Sequence, residues 1–84
     1  MRTGEYARKT RETHIAVNVN LDGEGNAKVT TGVGFFDHLI NTMAVHSRID
    51  IEIDAKGDLK HHVIEDVAIC LGEALRKAVG EGVG

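Results

Sequence analysis

His14-Ile15-Ala16-Val17-Asn18-Val19-Asn20-Leu21 places Ile15, Val17, Val19 and Leu21 on one side of an extended chain and smaller or polar residues on the other. Side chains alternate faces along a strand, so this stretch predicts a strand with one apolar face. Downstream, Asp22-Gly23-Glu24-Gly25-Asn26 is rich in residues that tolerate positive φ and reads as a turn. Ala27, Val29, Thr31 and Val33 then alternate again, and the two runs together predict a β-hairpin. Upstream, residues 5–10 suit a further short strand. Gly32-Val33-Gly34 breaks the second run, and from Phe35 the period becomes helical. Phe36, Leu39, Ile40, Met43 and Ala44 share a face, and Ser47 and Arg48 end the helix. Ile49-Asp50-Ile51-Glu52-Ile53-Asp54 alternates without a break and has an acidic second face. Lys56-Gly57-Asp58 is a turn. A last helix runs from about Leu59 to about Val79, with a core stripe of Ile64, Val67, Ala68, Leu71, Leu75 and Ala78. Gly80, Gly82 and Gly84 are expected to end it.

Strands with one apolar face and two amphipathic helices predict an α/β (α+β) fold. Its form is a two-layer sandwich, a mixed or antiparallel sheet with two helices on one face, in a single domain over 1–84. The polar sheet face is left for solvent or for another subunit. A chain of 84 residues has little stability margin, so association or metal binding would help it. A formal net charge of −3 argues against nucleic-acid binding, which usually leaves a basic footprint. Arg2, Arg8, Lys9 and Arg11 do cluster near the start, beside a carboxylate and a threonine pair, which keeps a small-anion role open. The lone Cys70 excludes an intrachain disulfide and a thiolate metal cluster, and it lies in an apolar helical stretch as a packing residue. No signal-like segment or membrane-length apolar run is present, so a cytoplasmic protein without a membrane partner is expected.

Five histidines are many for this length, and His38, His46, His61 and His62 lie in or beside the helices. In His61-His62-Val63-Ile64-Glu65-Asp66, His61 and Glu65 are four apart and share a helical face, so they can grip one ion. His62 points about 100° further round the helix and does not easily serve the same ion. Asp66, four after His62, is placed to orient its ring. The helix thus suits two metal sites better than one, with further ligands coming from elsewhere. A solvated polar surface is the bland alternative. Asp37 reads either as part of a site or as a helix-start carboxylate, and His46 either as a site residue or as a cation at a helix C-terminus. Imidazole and carboxylate donors without thiolate favour manganese, iron, cobalt, nickel or zinc and do not choose among them. Gly72, one turn on, leaves room beside Glu65.

Arg8-Lys9-Thr10-Arg11-Glu12-Thr13, Thr31-Gly32-Val33-Gly34-Phe35-Phe36-Asp37-His38, His46, Gly57-Asp58-Leu59, His61 to Asp66 and Leu71-Gly72 come in an order and spacing that resemble the imidazoleglycerol-phosphate dehydratase family. That family's chain is a duplication of a small α/β unit, and this sequence resembles the first copy. The resemblance implies large homo-oligomers with manganese sites built between subunits. It assigns His38 and His62 to one Mn(II) ion, and His61 and Glu65 to another. It makes Glu12 the acid/base group, and it places Glu12, His38, His46, His61 and Glu65 around a small imidazole phosphate substrate. The implied reaction is dehydration of imidazoleglycerol phosphate to imidazoleacetol phosphate, a step of histidine biosynthesis. The metals would stabilise negative charge developing on the substrate ring.

The second copy, with the basic residues that would grip the substrate phosphate, is missing from the resemblance. Two readings therefore stay open. One is a metal-dependent hydro-lyase. The other is a catalytically inactive, metal-binding half-length homologue that forms a structural homo-oligomer. In either, identical copies would complete each other's metal sites. A third reading, RNA binding by analogy with small α/β ribosomal proteins, is opposed by the acidic Asp50/Glu52/Asp54 face and the net charge.

Overall fold

The computed structural model describes residues 2–83, with side chains described for 2–80. Its elements are β1 (Thr3–Lys9), β2 (Thr13–Asn20), β3 (Ala27–Thr30), α1 (Gly34–Ser47), β4 (Asp50–Gly57) and α2 (Lys60–Val83). The sheet order is β1-β2-β4-β3; β1–β2 and β2–β4 are antiparallel, and β3–β4 is parallel. The expected class therefore holds: a mixed four-stranded sheet with two helices packed against its apolar face. Ile15, Val17 and Val19 of β2 align with Ala55, Ile53 and Ile51 of β4, and all six are buried. Among the described residues, no helix is long and apolar enough to cross a membrane.

The expected hairpin between residues 14–21 and 27–33 does not form. β2 pairs with β1 through a tight turn at Thr10–Thr13, and β4 lies between β2 and β3. The Asp50 carboxylate accepts the backbone N–H groups of Glu24, Gly25 and Asn26 at 3.0, 3.1 and 2.9 Å. It pulls the 22–26 turn across the end of β4 instead of letting the chain double back on β2. These three donors also hold the Asp50 carboxyl below its usual range, the Asn26 N–H contributing most. The parallel β3–β4 pair then needs a crossover, and α1 supplies it. β3 stops at Thr30, short of Val33. Thr31 turns away to donate its hydroxyl and its N–H to Asp37, which is thereby a helix-start carboxylate serving the turn before the helix. Arg48, in the left-handed region with φ 59°, closes α1 where Ser47 and Arg48 were expected to end it.

Both helical stripes differ from expectation. On α1, Ile40 and Ala44 are buried and Phe36 is partly so, but Leu39 is 52% and Met43 43% exposed. α1 packs chiefly on β3, and less on β4, at the sheet edge, so its contact line is narrow. On α2 the buried stripe is Val63, Val67, Cys70, Ala74 and Ala78, turned from the expected one. Ile64, Leu71 and Leu75 flank it half-buried, and Ala68 is exposed. The small residues let α2 settle onto β1. A Cβ at Gly4 would fall on the Ala74 carbonyl oxygen. Cys70 packs as expected, and burial pushes its thiol pKa up. Gly80 and Gly82 do not stop α2, which continues to Val83; Gly84 lies outside the described residues. Glycine inside a helix costs about 1 kcal/mol but does not forbid it. Lys56 and Gly57 belong to β4, leaving Asp58 and Leu59 as the turn.

Candidate metal and substrate site

The site is built where β1 turns into β2 and β4 turns into α2. Thr13 pairs with Gly57 at the end of the β2–β4 ladder, so the Glu12 turn lies across the end of β4. Gly57 permits this approach: a Cβ there would meet Val63 Cγ2, Thr13 Cγ2 and the Glu12 carbonyl oxygen. The Asp58 N–H donates to that carbonyl at 3.1 Å, joining the two turns.

His62 faces this junction. Its Nδ1 is buried and has no hydrogen-bond partner among the described residues. The nearest anionic atoms are Asp58 Oδ1 at 3.8 Å and Glu12 Oε2 at 3.9 Å. Two carboxylates thus flank one buried imidazole nitrogen. His61 and Glu65 are exposed and, by helical period, lie on the side of α2 opposite the Val63/Val67/Cys70 stripe. Gly72 continues that outer line, with open space where a Cβ would be. The rings of His61 and His62 meet edge to face with centroids 4.4 Å apart. His61 is exposed and His62 half-buried, but their rings touch, so the two imidazoles do not diverge as far as adjacent helical positions predict.

Other expected site residues are not drawn in. His38 and His46 are exposed on α1, and neither side chain has a hydrogen-bond or ion-pair partner among the described residues; the His38 carbonyl accepts the Thr42 hydroxyl at 3.0 Å. Asp66 does not orient His62. Its Oδ2 accepts the Thr13 hydroxyl at 2.6 Å, because the buried Thr13 side chain reaches α2 from below while His62 turns toward the turns at the helix start. Among the described residues, no three His, Cys, Asp or Glu side chains group closely enough to hold a metal ion. Asp58 was missed as a site residue, although its spacing of four from His62 is the spacing that paired His61 with Glu65. Thr13 had no comparable signal, since its partner is 53 residues away.

A family model for imidazoleglycerol-phosphate dehydratase matches residues 31–84. The chain belongs to that family. It is 55% identical over its whole length to the imidazoleglycerol-phosphate dehydratase of Methanopyrus kandleri, covering 43% of that protein. The enzyme of Azorhizobium caulinodans is 51% identical over 96% of the chain, again 43% of the relative, and that of Solidesulfovibrio magneticus is 51% identical over 99%, or 44% of the relative. The chain thus spans less than half the length of these curated relatives.

Proposed function

We propose that this chain supplies one half of a metal-dependent imidazoleglycerol-phosphate dehydratase site in histidine biosynthesis, and that further copies of the chain supply the other half. The observation that carries this reading is the placement of the Glu12 carboxylate 3.9 Å from His62, in a chain whose relatives bear that enzyme's name.

The donors fit a divalent transition metal, manganese by resemblance. They are imidazoles and carboxylates, and one buried imidazole nitrogen has no hydrogen-bond partner among the described residues. His38 and His62 would hold one ion, and His61 with Glu65 the other. When bound, the metal supplies Lewis-acid stabilisation of negative charge. The chain's own residues do the rest. Glu12 takes the proton from the substrate carbon onto its carboxylate and returns one to the departing hydroxyl, which leaves as water. Asp58 keeps the Glu12 turn in place through its N–H. His46 and the imidazoles around the site orient the substrate. Arg8, Lys9 and Arg11, on or beside the strand that leads to Glu12, are the basic residues nearest in sequence for the substrate phosphate. Exposed Leu39, Met43, Ile69 and Val79 on the helices are apolar surface that association of copies would cover.

The test is formation of imidazoleacetol phosphate by manganese-loaded protein. Wild type turns over and Glu12→Gln does not; equal turnover by that variant removes Glu12 from the mechanism. A second reading is a metal-binding oligomer without activity, built on the same histidine and carboxylate donors. Metal binding without measurable substrate affinity decides for it.

A further inference from the structure

Asp66 belongs to the conspicuous histidine–carboxylate run, yet it touches neither a histidine nor the outer face of α2. Its Oδ2 accepts the hydroxyl of Thr13, which is 4% exposed. The Thr13 oxygen lies 3.1 Å from the Thr10 hydroxyl. Thr10 Oγ1 in turn accepts the backbone N–H groups of Glu12 at 3.1 Å and Thr13 at 3.0 Å.

The proton count fixes the direction of this chain. A carboxylate only accepts, so Thr13 spends its one O–H on Asp66 and accepts from Thr10. Thr10 then has both lone pairs free for the two amides it receives. Each donor in the row is used once and in one sense, running from the Glu12 and Thr13 amides through the two hydroxyls to the Asp66 carboxylate. Hydrogen bonds aligned in this way reinforce one another.

We propose that Asp66 is a positioning residue: through Thr13 and Thr10 it clamps the turn that bears Glu12 onto α2, the helix that bears His62. The clamp ties the acid/base carboxylate to the same rigid element that carries the histidine pair. The Asp58 N–H to the Glu12 carbonyl is its second fastening, from the β4–α2 turn. The catalytic part of this inference rests on the function proposed above; the clamp itself does not.

The experiment uses Thr13→Val, which keeps the shape and removes the hydroxyl, with Thr13→Ser as the conservative rescue. Amide hydrogen exchange is read by NMR at Glu12 and Thr13 against Val17 in the sheet. In Thr13→Val the two turn amides exchange about tenfold faster, the scale of one lost hydrogen bond, while Val17 is unchanged. Thr13→Ser restores protection. With manganese and imidazoleglycerol phosphate, Thr13→Val lowers kcat roughly ten- to a hundredfold, the scale of a misplacement of about 1 Å, with KM nearly constant. Thr13→Ser again recovers. Unchanged exchange at Glu12 and Thr13 overturns the clamp. Changed exchange with unchanged kcat overturns its positioning role. A wild type without turnover counts against the proposed function, and the exchange result then decides the clamp alone. Should Thr13→Val fail to fold, Asp66→Leu takes its place with the same outcomes.

Discussion

The two helices sit on one sheet but are held by different forces. α2 buries five side chains, Val63, Val67, Cys70, Ala74 and Ala78, and packs across β1, β2 and β4. α1 buries Ile40 and Ala44 and leaves Phe35, Leu39, Met43 and Val45 exposed at the sheet edge. Polar bonds reinforce its attachment: Asp37 grips Thr31 just before it, and Asp50 holds the turn that leads to β3. The site follows the same division. On α2, the His62 ring lies beside two carboxylates and Asp66 accepts a hydroxyl, whereas the side chains of His38 and His46 on α1 meet no partner among the described residues. One helix meets the turn junction within the chain; under the function proposed above, the histidines on the other would find their partners in a second copy.

The largest expected effect separates the two helices by stability. Val67→Asp puts an unpaired charge into the core at a cost of about 3–5 kcal/mol, much of the stability of a domain this size. Leu39→Asp, on the exposed side of α1, costs within about 0.5 kcal/mol in the monomer. Thermal unfolding by circular dichroism at low and high protein concentration reads both. A large loss in Leu39→Asp confined to high concentration marks this face as covered by another copy. A large loss at every concentration breaks the contrast.

A smaller effect comes from pH. The folded Asp50 carboxyl titrates below its unfolded value. Its contribution is therefore present above the unfolded pKa and is lost as pH falls through the folded one. Acid should loosen the 22–26 turn and the β3–α1 side before α2. Amide exchange of Gly25 and Asn26 should rise on acidification, after correction for intrinsic rates, while that of Val67 holds. Asp50→Ala should show the loosened turn already at neutral pH. An acid response that is the same in Asp50→Ala and wild type assigns it to another group.

Much of this was legible in the sequence. Alternation in Ile15–Leu21 and Ile49–Asp54 marks strands, because facing is a local property. Pairing order is not local. The contact that diverts β3 from β2 joins Asp50 to amides 24 to 26 residues away, and nothing in the 22–26 turn announces it. The α2 stripe keeps the expected Val67 and Ala78 but turns toward Val63, Cys70 and Ala74, because size as well as apolarity decides what can face β1: Ala74 and Ala78 lie against Gly4. For the site, the greater burial of His62 than of His61 fits their different helical facing, although their rings still touch. The role of Asp66 did not follow from helical geometry, since a carboxylate at i+4 suggests its helical neighbour, while a buried hydroxyl from another strand captured it.

Whether the metal sites are shared between copies is tested most directly by mixing two defective chains. One variant lacks His38 and His62, the other His61 and Glu65, and each folds by circular dichroism. Alone, each binds no manganese at a concentration that loads the wild type. After co-refolding, sites that pair His38 and His62 of one chain with His61 and Glu65 of the other are intact, and manganese is recovered in the oligomer fraction. A mixture that binds no more metal than its two components alone contradicts shared sites.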